Sequence, residues 1–266
     1  MRVEMATRSR LGTPARTGQR RTREAAISAS GILGGALIWE LVGRSTDGTS
    51  FAPLSATLVR LGELLRDGSL ISALASSMAL YAAGLLWAIV VGLVGGLALA
   101  RLRLLRVGLE DYITALYATP MVALIPFILA ILGFGFFPKM VVVFLFAVFP
   151  VLLNTIEGAR SIAPELLDVA KAYRSNERQL WRDVIAPYTL PFAMTGVRQA
   201  IARGLVGMVA AEFLLSSNGL GKLIIISSQR FDAAAILACV LVITLLGIAL
   251  MTVGLALESK FAVWKV

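Results

Sequence analysis

Six long apolar runs dominate the pattern of hydrophobic and polar positions along the 266-residue chain. A helix that crosses a bilayer needs about 20 predominantly apolar residues, and each run is long enough to form one. Pro120 and Pro126 interrupt the third run, and charged residues interrupt the fifth. The pattern predicts an all-α integral membrane protein with six transmembrane helices, near residues 25–43, 73–100, 112–133, 138–156, 192–215 and 233–257.

The composition agrees with this fold class and excludes most classes of soluble enzyme. Hydrophobic residues make up 58% of the chain and charged residues 15%, whereas a soluble domain has about 45–50% and about 25%. Histidine is absent, so catalysis or metal binding through imidazole is excluded. Cys239 is the single cysteine, which leaves neither an intrachain disulfide nor a zinc cluster. We therefore expect no metal site.

The distribution of Lys and Arg predicts the orientation of the chain in the membrane. Basic residues concentrate before the first span, in the connections at 101–111 and 157–191, and in the C-terminal tail. Connections rich in Lys and Arg stay in the cytoplasm, so both termini are expected there. The net charge of +9 is then a topology signal, and nucleic acid is not an expected partner. Residues 1–24 are predicted to be a basic, disordered cytoplasmic arm, and residues 25–266 the transmembrane domain.

Two pairs of glycines have the spacing that lets membrane helices approach closely. Gly31 and Gly35 form one pair in the first span, and Gly92 and Gly96 form another in the second. Small residues four apart remove the side-chain bulk between two helix backbones. Both pairs predict helix packing rather than a role in gating.

The connection at 157–191 is long and charged, and its pattern is helical. Pro164 suits the first turn of a helix. Leu166, Ala170 and Tyr173 follow with the spacing of one apolar face. The sequence predicts a first short amphipathic helix here.

A second amphipathic helix is predicted directly after it. Pro187 and Pro191 are expected to end this helix before the fifth span. From spacing alone, three interpretations stay open for the two helices: lying on the lipid surface, capping the bundle, or docking into a groove of a partner. The apolar positions of the second helix are Leu180, Trp181, Val184 and Ile185.

The same stretch resembles the EAA loop of bacterial ABC importer permeases. The runs that carry the resemblance are ELLDVAKAYRSNERQLWRDVIAPYTLPFAMTGVRQA and AAEFLLSSNGLGKLI. Upstream, YATPMVALIPFILAILGFG and FAPLSATLVRLGELLRDGSL are similar to segments of the subgroup that imports nitrate, taurine and alkanesulfonates. The resemblance covers about residues 25–264. The positions that match the family motif in order are Asp168-Val169-Ala170, Pro187, Pro191, Gly196, Arg198, Glu212 and Gly219-Leu220-Gly221.

Two positions depart from the family pattern. Arg174 stands where the family has the glycine that makes the turn between the two short helices, and Ala186 replaces the apolar residue before the first proline. An arginine at this position either allows the chain to form a different turn or changes the surface that docks onto a partner. Both departures therefore affect the contact between this loop and its partner.

The resemblance implies a permease subunit of an ATP-driven importer in the bacterial inner membrane. Such a subunit binds no cofactor, and no P-loop is present. ATP and Mg²⁺ bind to separate cytoplasmic ATPase subunits that grip the EAA helices. A second permease copy completes an alternating-access pathway, and an external binding protein delivers a small nutrient such as a sulfonate, taurine or nitrate. The implied ATPase-docking residues are Glu165, Leu166, Asp168, Val169, Ala170, Tyr173 and Arg174.

Tyr173 has an alternative role as a packing residue beneath the loop. The implied structural or gating residues are Pro187, Pro191, Gly196, Arg198, Glu212, Gly219 and Gly221. The candidates for the substrate pathway are Tyr117, Thr119, Met121 and Arg203.

Charged residues in the fifth span each have more than one interpretation, because ionisable groups in lipid are costly. Arg198 lies near the cytoplasmic end and either snorkels to the interface or belongs to the family motif. Arg203 either pairs within the bundle or faces the pathway. Glu212 has a structural or gating role, with ligand binding as the alternative. Gly219 to Gly221 are expected to make a tight turn outside, with Asn218 helping to cap it.

Two other function classes fit the sequence less well. An ion- or proton-coupled secondary transporter is expected to have related halves and discontinuous helices, and no convincing repeat is present. A membrane-embedded enzyme needs clustered acid, base or nucleophile groups. Arg203 and Glu212 are nine residues apart and point to nearly opposite faces of one helix.

Overall fold

The computed structural model describes residues 15–46, 50–215 and 218–261, and all regular structure in these ranges is helical. A 3₁₀ turn at Met121–Leu124 precedes α5, and a π-helical segment at Leu180–Ile185 joins α8 to α9. The α-helices are α1 Ala15–Ser45, α2 Leu54–Arg66, α3 Ser69–Arg101, α4 Arg103–Ala118, α5 Ile125–Leu132, α6 Phe136–Arg160, α7 Pro164–Ala172, α8 Glu177–Gln179, α9 Ala186–Leu215, α10 Leu220–Gln229 and α11 Ala233–Phe261.

Four of the six predicted spans are confirmed by helix length and apolar composition over the described residues. The bent pair α4 and α5 adds a fifth span if its two halves are counted together. The continuous spans are Ala26–Ser45, Ser69–Arg101, Phe136–Arg160 and Ala233–Lys260.

The third predicted span, 112–133, is not one helix. Its two halves meet at an angle of 97°. Thr119 and Pro120 are extended at the break, because a proline disfavours helical geometry in the residue before it. Pro126 lies instead in the first turn of α5, where a missing N–H costs nothing. Only one of the two prolines therefore breaks the span.

The fifth predicted span, 192–215, lies within α9, a helix of 30 residues. At 1.5 Å per residue it is about 45 Å long, but its charged residues keep it outside the group of apolar spans. It packs against α3, α6 and α11, and its Ala200, Met208 and Ala211 are fully buried. α9 is the central helix, and its charged residues Arg198 and Glu212 are paired with other parts of the protein.

Pro187 and Pro191 do not end a helix, contrary to the prediction. Pro187 lies in the first turn of α9, and Pro191 lies inside it. An interior proline costs about 3 kcal/mol or more. Close packing on α6 opposes this cost: a Cβ added at Gly196 would lie 2.7 Å from the Pro150 carbonyl oxygen. The chain therefore runs through the π-helical segment directly into the span.

The two glycine pairs have different environments. Cβ atoms at Gly92 and Gly96 would lie 2.6 Å from Cβ of Val151 and 2.7 Å from Cβ of Thr155. This pair brings α3 and α6 together, as predicted. Gly31 and Gly35 have no neighbour within 4 Å of such an atom among the described residues, so the predicted packing has no counterpart within the described chain.

The N-terminal arm differs from the prediction where the structure describes it. Helix α1 begins at Ala15, so residues 15–24 are helical, whereas the sequence predicted disorder to residue 24. Arg, Gln, Glu and Ala are good helix formers, and the apolar span that follows extends the helix. Residues 1–14 lie outside the described residues.

Candidate functional site

Helix α7, the first of the two short helices in the predicted coupling loop (residues 157–191), exposes apolar side chains. Leu166 is 42% exposed, Val169 53% and Tyr173 83%, which excludes packing of Tyr173 beneath the loop within one chain. Ala170 is only 7% exposed and faces a cavity of about 250 Å³ whose lining includes Trp181. The exposed apolar face therefore runs through Leu166, Val169 and Tyr173, and the predicted docking residue Ala170 lies behind it.

The charged candidates on α7 surround this apolar face. Glu165 is exposed in the first turn, where the positive end of the helix dipole favours a carboxylate. Lys171 Nζ lies 3.0 Å from Asp168 Oδ1, and both side chains are mostly exposed. An ion pair with this exposure contributes little stability. The charges are therefore available to a partner.

Arg174 makes the turn that the family makes with glycine. Its φ is +54°, in the left-handed region that costs an L-residue roughly 1–2 kcal/mol. The Ser175 N–H donates to the Ala170 carbonyl at 3.0 Å, and the Arg174 N–H donates to the Lys171 carbonyl at 2.9 Å. These two bonds form a Schellman motif that ends α7. The substitution keeps the turn and adds an exposed guanidinium to it.

The second short helix of the predicted coupling loop, which starts with α8, begins with a capping box. The Gln179 N–H donates to Asn176 Oδ1, and the Asn176 N–H donates to Gln179 Oε1, each at 2.9 Å. Arg101 Nη2, at the end of α3, donates to Glu177 Oε1 at 2.5 Å. The loop is therefore tied to the second span, a link that the sequence analysis did not predict.

Glu212 of α9 is 1% exposed and holds the beginning of α10. Ser77 Oγ of α3 donates to Glu212 Oε1 at 2.6 Å, and the Gly221 N–H donates to Oε2 at 2.8 Å. The Leu220 N–H donates to Ser77 Oγ at 2.9 Å. Gly219 has a φ of +99°, and a Cβ there would collide with the Glu212 carboxylate. This arrangement supports the structural interpretation of Glu212.

The predicted tight turn over Gly219–Gly221 is only partly present. Gly219 alone has a positive φ, and Leu220 and Gly221 form the first turn of α10. Asn218 accepts a hydrogen bond from Lys139 Nζ at 2.9 Å, and Lys139 is 3% exposed. The positive charge of Lys139 also attracts the Glu212 carboxylate.

Arg198 pairs within the bundle. Its Nε lies 2.7 Å from Glu258 Oε2 on α11, and Thr195 Oγ1 donates to Glu258 Oε1 at 2.8 Å. Arg198 is therefore paired with a carboxylate inside the bundle, rather than snorkelling to the membrane interface. It lies 14 residues before Glu212, about 21 Å along the helix, so the two charged motif residues belong to different sites.

The four pathway candidates line one cavity. It has a volume of about 320 Å³ and lies at the bend between α4 and α5. The Arg203 guanidinium carbon lies 5.1 Å from the centre of the Tyr117 ring. Among the described residues, no ion-pair partner is found for Arg203. The cavity lining is Tyr117, Thr119, Pro120, Met121, Val122, Leu145, Phe146, Phe149, Arg203 and Val206.

Ser77, Lys139, Glu177 and Glu258 were not predicted as site residues. Ser77 and Lys139 carried a weak signal, as polar residues inside or beside apolar runs. Glu177 and Glu258 gave no signal, because their partners are distant in sequence.

Comparison with known proteins places these features in one family. Residues 88–262 match the model of the family described as binding-protein-dependent transport system inner membrane component. The riboflavin transport system permease protein RibX of Chloroflexus aurantiacus is 34% identical over 166 residues, which is 62% of each chain. The putative aliphatic sulfonates transport permease protein SsuC of Bacillus subtilis is 27% identical, over 86% of this chain and 83% of that one.

A solved structure has the same fold. A chain of the MetNI methionine ABC transporter, in an inward-facing conformation, superimposes with a TM-score of 0.61 at 18% identity. The match covers 73% of this chain and 96% of that chain.

Proposed function

Because the chain belongs to the family of binding-protein-dependent transport system inner membrane components, we propose a role for each of its described surfaces. The chain is a multi-pass membrane protein, the permease subunit of an ABC importer for small nutrients, and not an enzyme. Its family works with ATPase subunits and a binding protein. The family does not favour the alternative of an ion-coupled secondary transporter.

The docking surface for the ATPase is the exposed side of α7 and the turn after it. Leu166, Val169 and Tyr173 supply its apolar centre, and the observation that carries the assignment is the 83% exposure of Tyr173. An exposed apolar patch on a surface that faces water marks an interaction site. Glu165, Asp168 and Arg174 supply a charged rim that is suited to orienting a partner.

The assembly we propose contains two copies of the chain in the bacterial inner membrane, with both termini in the cytoplasm. Support for this orientation comes from the basic residues around the coupling loop and at the N-terminus. Residues 1–24 are the arm, and 25–266 the permease domain. Tyr117, Thr119, Met121 and Arg203 lie on the pathway. The solute is sulfonate-, taurine- or nitrate-like and is delivered by the external binding protein.

The remaining motif residues have structural roles in this proposal. Gly196 lets α9 approach α6, and Arg198 joins α9 to α11. Glu212, with Gly219 and Gly221, holds the external end of α9 against α10. Pro187 and Pro191 shape the entry of the coupling loop into α9.

Co-purification with candidate ATPase subunits tests the docking surface. Tyr173→Ala and Val169→Ser are expected to lose association, while Leu104→Ser retains it. Leu104 is 91% exposed on α4 and serves as the matched control for removing an exposed apolar side chain. Thermal unfolding of each variant checks that the fold persists. Full association of Tyr173→Ala with a folded permease would overturn the proposed surface.

A further inference from the structure

Arg203 is an unusual residue for the interior of a membrane protein. It lies on α9, the central helix, and its side chain is exposed in the cavity at the bend between α4 and α5. An ionisable residue within a span normally pairs with another group or faces a water-filled cavity on a transport pathway. Arg198 and Lys139 follow the first pattern, through Glu258 and Asn218. Arg203 follows the second.

The rest of the cavity is apolar and aromatic. Arg203 is the one charged residue among the ten that line the cavity, all of them described. Tyr117 and Phe149 form one wall, with ring centres 5.9 Å apart, and Phe146 lies beside them in the lining. The guanidinium lies over the face of Tyr117, where the electrons of the ring attract the cation. The N–H groups at its edge stay available to a ligand.

This combination has a definite chemical complement. A guanidinium presents a planar fork of donors that matches a carboxylate or sulfonate. Its charge is partly desolvated beside aromatic rings, so an anion gains more there than in bulk water. Aromatic walls favour a ligand with an apolar body. A volume of about 320 Å³ lies at the small end of the usual range of ligand pockets.

We propose that this cavity is a subsite for a small organic anion, in which Arg203 binds the carboxylate or sulfonate group and Tyr117 packs against the apolar body. The proposal rests on the proposed function, because it places the subsite on the permease pathway. It makes Arg203 a determinant of specificity within the permease itself. An inorganic anion lacks the body that the aromatic wall would hold, and a neutral analogue lacks the charge.

Direct binding to the purified permease in nanodiscs, with its ATPase subunits present, tests the subsite. The probe is benzenesulfonate, followed by saturation-transfer NMR and titration. Benzenesulfonamide is the neutral control, and sulfate is the inorganic control. We expect benzenesulfonate to bind the wild type and both controls to bind at least about tenfold more weakly. The sulfonamide lacks the charge that strengthens a hydrogen bond to the guanidinium, and sulfate lacks the apolar body.

The variants separate charge from shape. Arg203→Gln is expected to weaken benzenesulfonate binding about tenfold or more, and Arg203→Lys to restore part of it. Arg66→Gln removes one exposed positive charge from α2 and is expected to leave binding unchanged. Equal binding by wild type and Arg203→Gln, equal binding of the sulfonamide, or no binding to the wild type would each overturn the subsite.

The same preparations keep the two proposals distinguishable. Association with the ATPase subunits is measured on every variant. Arg203→Gln that keeps the ATPase but loses benzenesulfonate supports the subsite, whereas a wild type that binds benzenesulfonate but no ATPase contradicts the docking surface alone.

Discussion

Arg101 at the end of α3 and Glu177 at the start of α8 form an ion pair 2.5 Å long, between residues 76 positions apart. The pair joins the coupling loop to a span that is not its neighbour in sequence. A second pair, Arg160 with Glu110 at 3.0 Å, joins the end of α6 to the middle of α4. The loop is thereby linked to spans other than α9.

Breaking the first pair is expected to affect coupling more than stability. Both side chains are about half exposed or more, so Arg101→Ala should change the free energy of unfolding by less than about 1 kcal/mol. We expect transport per ATP hydrolysed to fall, measured in proteoliposomes. The charge-swapped double variant Arg101→Glu with Glu177→Arg should recover part of the loss. Normal coupling in both single variants would show that the pair transmits nothing.

The left-handed turn at Arg174 predicts a particular order of substitutions. Arg174→Gly adopts the same φ without a Cβ penalty and is expected to keep the melting temperature and ATPase association near wild type. Arg174→Val places a β-branched residue at φ +54° and should destabilise the loop by about 1–2 kcal/mol. Arg178→Val is the control, because Arg178 lies in α8. Limited proteolysis of the loop measures the difference, and equal cleavage of the two valine variants would contradict the turn.

The contact between Glu212 and Gly219 predicts a severe effect of adding one methyl group. Gly219→Ala combines a positive φ with a collision against a buried carboxylate, so a loss of several kcal/mol is expected. Gly62→Ala, in α2, has nothing within 4 Å of the new atom and should be neutral or slightly stabilising. Thermal unfolding in detergent compares the two variants. A similar melting temperature for both would contradict the packing described.

The two glycine pairs allow a matched test of helix packing. Gly92→Ala would push against Val151 and is expected to destabilise the α3–α6 contact by about 1–3 kcal/mol. Gly31→Ala meets nothing among the described residues, so the isolated subunit should unfold at the wild-type temperature. An equal decrease in the unfolding temperature of both variants, measured on the isolated subunit, would contradict this difference between the two glycine pairs.

The sequence predicted the parts of the fold that depend on local composition. Apolar runs located most of the spans, and the order of motif residues indicated the family that the family model confirms. Pro120 ended α4, as its chemistry requires, but the same rule failed at Pro191. There, burial of α9 against α6 outweighed the local preference of proline, and burial is a tertiary property that spacing alone does not reveal.

The candidate site was predictable where one residue type carries the chemistry. Arg203 was recognisable as a cation in an apolar run, and its position with Tyr117 in one cavity follows the sequence proposal. Ala170 belonged to the same predicted face as Leu166 and Tyr173, but it alone of the three is buried, and it lines a cavity with Trp181. Ser77 carried only a weak signal, since only the fold brings it to Glu212.

The polar character of α9 has a consequence for how the protein enters the membrane. A charged side chain within a span is costly to insert unless it is paired, and Glu258, the partner of Arg198, lies on the last helix. A ribosome makes α9 before that partner exists, so this helix depends on α6 until α11 arrives. With one cysteine introduced into α9 and Cys239, the single native cysteine, replaced by serine, a chain truncated after residue 232 is expected to be labelled in α9 by a thiol reagent, unlike the full-length chain. We therefore expect the final helix, α11, to complete the insertion of α9.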